Sequence, residues 1–158
     1  MLLILDEWII HDLQGDNGEE KQKESFAFLQ KIKEKCDKIF WIRGSKFVKK
    51  YNNLCKFCGK IRYDSELRKK IRFINGYFIH NPQKIEIINL DELNIEVEEH
   101  NHILQRIKDD DHYLIKAYFY LRQRNIEPII ITTDGELIKI LRKHNILIEH
   151  RDDFIKKY

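Results

Sequence analysis

An α/β domain with a central, mainly parallel sheet and helices on both faces is what this sequence predicts. Three observations carry that expectation. Short apolar runs, Leu2 to Leu5 and Pro128 to Thr133 above all, have the length and unbroken hydrophobicity of strands buried on both sides. Charged stretches with apolar residues at helical spacing alternate with those runs. At 158 residues, 42% hydrophobic and 35% charged, the chain fits one domain over residues 1–158, and no repeat or linker divides it.

The elements follow in order. Leu2 to Leu5 is a strand ending on Asp6, and Glu7 to Leu13 begins a helix on its carboxyl side. Gln14 to Gly18 is a loop. Glu19 to Cys36 sets Phe26, Phe28, Leu29 and Ile32 in a charged background and is a helix. Lys38 to Ile42 is β-rich and is broken at Arg43-Gly44, after which Ser45 caps a helix to about Leu54. Asp64 to Phe73 is helical, with Leu67 and Ile71 on one face. Tyr77 to Ile79 and Ile85 to Ile88 read as extended segments around Asn81-Pro82. His102 to Gln123 is helical in two pieces joined near Asp109. The strand Pro128 to Thr133 ends on Asp134, Gly135 to Lys143 is a helix, Ile146 to Glu149 a last strand, and the tail is loose.

Composition excludes several classes. Three cysteines make no disulfide framework and suit a reducing, cytoplasmic setting. The opening MLLILDEWII is interrupted too early by Asp6 and Glu7 for a signal peptide, and no apolar run reaches the roughly 20 residues of a membrane span. No Gly-rich phosphate loop follows a strand, which argues against a nucleotide-binding α/β protein.

The net charge of +3 hides two opposed tracts. From Arg43 to Arg72 eleven bases, among them Arg43, Lys46, Lys49, Lys50, Lys56 and Lys60, face only Asp64 and Glu66. From Glu86 to Asp111 nine acids face Arg106 and Lys108. Such a chain can hold a polyanion beside a cation site, and two solvated helix faces would give the same counts. Phe47, Tyr51, Phe57, Tyr63 and Phe73 interleave with the bases, a mixture that can stack bases of single-stranded nucleic acid, although Phe47, Tyr51 and Phe73 suit a core at least as well.

Asp6 and Asp134 occupy matching positions, strand then Asp then helix, where in an open parallel sheet ligands bind. An Asp there also serves as the N-cap of the next helix. Asp109, Asp110 and Asp111 open the stretch from His112 to Leu121, and a solvated helix start favoured by the helix dipole is their plainer reading. His112 reads as a supporting or solvent-facing residue. Cys55 and Cys58 form half of a zinc knuckle, with only Cys36 and His80 as further ligands, and ordinary thiols are the simpler assignment.

Together LLILDEWII, the Ser-initiated SKFVKKYNNL, DDDHYLIKAYFYL and IIITTDGELIKIL, in that order and spacing, resemble the PIN-domain family over nearly the whole chain. The resemblance implies a three-layer α/β/α nuclease fold whose acids converge at the sheet edge on Mg²⁺ or Mn²⁺. Asp6, Asp111 and Asp134 match the family's acids as catalytic and metal-binding residues, with Asp110 or Asp109 assisting. Arg43, Lys46, Lys49, Lys50, Lys56 and Lys60 would position an RNA backbone. Carboxylates suit hard cations, which orient water for attack on phosphorus and neutralise phosphoryl charge. The implied activity is a metal-dependent endoribonuclease. Many relatives of this size are toxins of toxin–antitoxin pairs, so an antitoxin protein or a second copy of the chain is an implied partner. One position departs from the pattern: Lys50 stands where relatives carry a Glu, which leaves Asp12, Asp64 or Glu66 to supply the missing acid. It also opens the alternative of a weakened module that binds RNA or protein without cutting.

Overall fold

The computed structural model describes residues 1–60, 65–93 and 98–158, with the side chains of 60, 65 and 98–100 outside that description. Five strands, β1 (Leu2–Leu5), β2 (Lys38–Arg43), β3 (Ile85–Asn89), β4 (Pro128–Thr132) and β5 (Ile148–His150), form one all-parallel sheet in the order β3-β2-β1-β4-β5. The central strand β1 is buried at all four positions, as its unbroken apolar run requires. Helices α1 (Trp8–Gln14), α2 (Glu19–Glu34), α3 (Lys46–Lys60) and α4 (Ser65–Ile74) connect β1 to β2 and β2 to β3. After α5 (Glu98–Leu104), helix α6 (His112–Gln123) leads into β4, and α7 (Gly135–Arg142) joins β4 to β5. Right-handed crossovers therefore put α1 to α4 on one face of the sheet and α6 with α7 on the other.

That topology fixes where a site can form. The chain leaves β1 toward β2 on one side, whereas β4 lies on the other, so the carboxyl ends of β1 and β4 border the switch point of the sheet. Asp6 and Asp134 stand there. Asp6 N–H donates to the Ile131 carbonyl at 3.2 Å and prolongs the β1–β4 ladder, and the Trp8 indole N–H donates to the same carbonyl at 2.8 Å.

Three elements differ from the sequence expectation. Asn75–Ile79 is a π-helical continuation of α4 rather than an extended segment. Phe78 is fully buried there and Tyr51 Oη donates to Asn75 Oδ1 at 2.8 Å, so tertiary packing outweighs the β propensity of Tyr-Phe-Ile. The tail is not loose: Arg151–Lys157 forms α8, whose Phe154 packs edge-on against Phe28 of α2. α3 also runs beyond Leu54, to Lys60. Among the described residues no helix is long and apolar enough to cross a membrane.

Candidate functional site

A cleft of about 430 Å³ opens at the switch point, lined by Asp6, Glu7, Asp110, Asp111 and Asp134 together with His11, Asn17, Lys46 and Lys108. Asp6 follows β1, Asp134 follows β4, and Asp110 and Asp111 lie in a 3₁₀ turn ahead of α6, so three separate segments bring the predicted acids to one place. Thr132 is the pivot. Its buried hydroxyl donates to Asp6 Oδ2 at 2.7 Å and accepts from the Asp134 N–H at 3.1 Å. Asp6 Oδ1 accepts from the Glu7 N–H at 2.6 Å and lies 3.4 Å from the Tyr113 hydroxyl.

Burial raises the Asp6 carboxyl above its ordinary value even against those hydrogen bonds. Burial also raises Asp111, and the charge of Asp6 and then of Asp134 pushes it the same way, while Lys46 opposes them. Asp134 carries two duties. Its Oδ1 accepts from Glu136 and Leu137 N–H at 2.9 and 3.0 Å as the N-cap of α7, while its Oδ2 is 3.7 Å from Lys108 Nζ. The capping reading of Asp134 is thus correct, and it leaves one oxygen toward the cleft. Asp110 is exposed and pairs with Lys46 at 3.3 Å. Asp109 is fully exposed, 3.6 Å from His112, whose Nε2 meets the Leu104 carbonyl at 3.0 Å.

The residue that sequence reasoning missed is Glu7. Lys46 Nζ and Lys50 Nζ both approach its Oε1, at 2.9 and 3.2 Å, and the pair with Glu7 raises Lys46. Among the described residues its buried Oε2 has no hydrogen-bond partner. The Asp-Glu doublet closing β1 was a signal in the sequence, but the lysine contacts exist only because α1 packs against α3. Of the substitutes proposed for the missing α3 acid, none among the described residues lines the cleft, and Asp12 touches it only through the Asn17 side chain, which donates to its Oδ1 at 2.7 Å. Asp12 is buried in an ion pair with Arg151 at 3.0 Å, Glu66 pairs with Lys69 at 2.7 Å on the surface, and Asp64 lies outside the described residues.

Of the predicted basic residues, Lys46 lines the cleft and Lys50 reaches its rim through Glu7, whereas Arg43, Lys49 and Lys56 are exposed. The side chain of Lys60 lies outside the description. Phe47 and Tyr51 belong to the core, while Phe57 is exposed on α3 beside Lys56. Among the described residues Cys55 and Cys58 take part in no disulfide, and burial raises Cys55. Among the described residues no three His, Cys, Asp or Glu side chains stand together as a metal-ligating group.

The architecture is a three-layer α/β/α fold, consistent with the PIN-like fold that the sequence resembles, with an acidic cleft at its switch point. The chain is similar to a solved chain of VapBC2 from Rickettsia felis, determined bound to a DNA fragment from their promoter. The identity is 14%, 95% of this chain and 98% of that chain are covered, and the TM-score is 0.52, a likeness that shows the fold. No protein-family model matches the sequence, and no curated protein matches it.

Proposed function

We propose that the protein is a PIN-like, Mg²⁺- or Mn²⁺-dependent endoribonuclease of the toxin type, acting at the cleft between the ends of β1 and β4. The observation that carries the reading is that Asp6, Asp111 and Asp134 line one cleft, where burial raises Asp6, and burial with the charge of Asp6 raises Asp111, a cost that a cation would relieve. Donor chemistry fits as well: the carboxylates supply hard oxygen ligands, and Glu7 adds a buried oxygen with no hydrogen-bond partner. Asp6, Asp111 and Asp134 would hold the ion, with Asp110 at the rim. When bound, such an ion supplies charge neutralisation at phosphorus and a more acidic water.

The chain's own side chains do the rest. Asp6 is oriented by the Thr132 hydroxyl and the Glu7 N–H, which donate to its two oxygens. Lys46 and Lys108 meet the phosphate backbone at the cleft, and Lys49 and Lys56 extend the positive track along α3 with Phe57 as a stacking surface. An antitoxin-type protein partner follows from the same resemblance. The second reading, a module that binds RNA without cutting it, is favoured by the lysines that already contact Glu7, Asp110 and Asp134.

Incubation with a mixed RNA pool in Mn²⁺, in Mg²⁺ and in EDTA tests the proposal. Fragments in either metal, absent in EDTA and with Asp6→Asn, are expected. Cleavage that survives exhaustive chelation would sink the metal mechanism, and salt-sensitive binding with no cleavage in any metal would favour the binding module.

A further inference from the structure

At the rim of the cleft a chain of polar contacts runs from one end of α1 to α3. Asp16 Oδ2 lies 2.8 Å from His11 Nδ1, His11 Nε2 lies 2.6 Å from Lys50 Nζ, and Lys50 Nζ lies 3.2 Å from Glu7 Oε1. One tautomer satisfies all three contacts: Nδ1–H donates to Asp16, and the bare Nε2 accepts from the ammonium. The turn that allows this is local. Gly15, at φ 92°, ends α1 in the left-handed region, and the Asp16 N–H donates to the His11 carbonyl at 3.0 Å, folding Asp16 back onto the ring.

An ammonium has three N–H donors, and Glu7 and His11 account for two. Among the described residues the third meets no acceptor. Lys50 is about one-third exposed, so that donor has a route to solvent, and Lys46 stands one turn earlier on the same helix with its ammonium on the same Glu7 oxygen. A lysine meant only to neutralise Glu7 would not require an imidazole oriented by a carboxylate on its other side.

We propose that His11, oriented by Asp16, is a positioning residue that aims Lys50 as a phosphate-binding group at the rim of the acidic cleft. The position at which the resemblance implies an acid facing a cation would then face a phosphodiester. The inference rests on the reading of the cleft as a nucleic-acid site, and the ligand chemistry is a backbone phosphate of single-stranded nucleic acid.

The test is binding without cleavage. The affinity of the full chain in EDTA for a labelled, mixed-sequence single-stranded RNA, and for the matching DNA, is measured across a salt series. The variants are Lys50→Met, Lys50→Gln, His11→Ala, His11→Gln and the double variant His11→Ala/Lys50→Met. Loss of one phosphate contact lowers the slope of log affinity against log salt by about 0.7. Lys50→Met and Lys50→Gln are expected to show that loss on RNA and DNA alike, because a phosphate carries no record of the sugar. His11→Ala should weaken binding in the parent and not in the Lys50→Met background, and His11→Gln, which keeps an acceptor, should recover part of the loss. Salt slopes unchanged by both Lys50 variants, a loss confined to one nucleic acid, or additive His11 and Lys50 effects would overturn the proposal while leaving the nuclease reading standing. Absence of any binding by the parent chain would overturn both.

Discussion

Asp6 and Asp12 lie six positions apart at the two ends of one short helix, are both buried, and do opposite things. Asp12 is answered completely. Arg151, 2% exposed, reaches its Oδ2 at 3.0 Å, Ser25 Oγ donates to the same oxygen at 2.5 Å, and Asn17 Nδ2 donates to Oδ1 at 2.7 Å. Arg151 is in turn held by Glu24 and Asp152, both at 2.6 Å, so every strong donor has an acceptor. Asp6 has only neutral donors, and its nearest charged neighbours include Glu7 and Asp111. A buried acid answered by arginine is an anchor, here the one that docks α8. A buried acid with other acids among its charged neighbours is the one we propose serves a ligand.

The largest way to break that contrast is at the anchor. Arg151→Ala leaves Asp12 buried without its cation and should cost about 3–5 kcal/mol in urea unfolding. Loss of less than about 1 kcal/mol would mean that the Asp12 cluster is a surface pair in effect. Thr132→Val preserves shape and removes the hydroxyl between Asp6 and Asp134, which should cost roughly 1–3 kcal/mol and push the Asp6 carboxyl higher still. A neutral outcome would show that Asp6 does not depend on that bond.

The two regions should also respond oppositely to pH. Asp152, hydrogen-bonded first to Lys21 and also to Arg151, is held down to about 2, below its ordinary 3.8. Its stabilisation is present above 3.8 and is lost as pH falls through about 2. Asp6 is raised, so its ionised form opposes folding: its contribution is most favourable below 3.8 and is lost as pH rises through the raised value. Unfolding of Asp152→Asn and Asp6→Asn across acid and neutral pH reads both. Asp152→Asn should flatten the acid limb, and Asp6→Asn in EDTA should gain stability toward neutral pH. Equal pH profiles for the two variants would remove the distinction.

How much of this was legible in the sequence follows the same division. β1 and β4 were readable because strands buried on both faces need unbroken apolar runs, and Asp6 and Asp134 were readable because each closes one of them. The anchor was not. Arg151 and Asp12 are 139 positions apart, and nothing local marks either as buried, so a tail rich in charge read as loose. Glu7 was overlooked beside Asp6 because its importance comes from Lys46 and Lys50, which only the packing of α1 on α3 brings to it. Tyr77 to Ile79 reads as extended because Tyr-Phe-Ile favours a strand locally, whereas the buried Phe78 is set by the core.

Asp111 gives the most direct measurement of the central claim, that the cleft acids serve a cation rather than the fold. It is raised by burial and by Asp6 and Asp134, and its side chain does not cap α6. Wild type and Asp111→Asn are melted in EDTA and in excess Mn²⁺. The account predicts that the variant melts at or above wild type in EDTA, and that Mn²⁺ raises wild type well above the variant, because binding to the folded state stabilises it. A variant that melts well below wild type in EDTA, with the Mn²⁺ increment intact or absent in both, would contradict it.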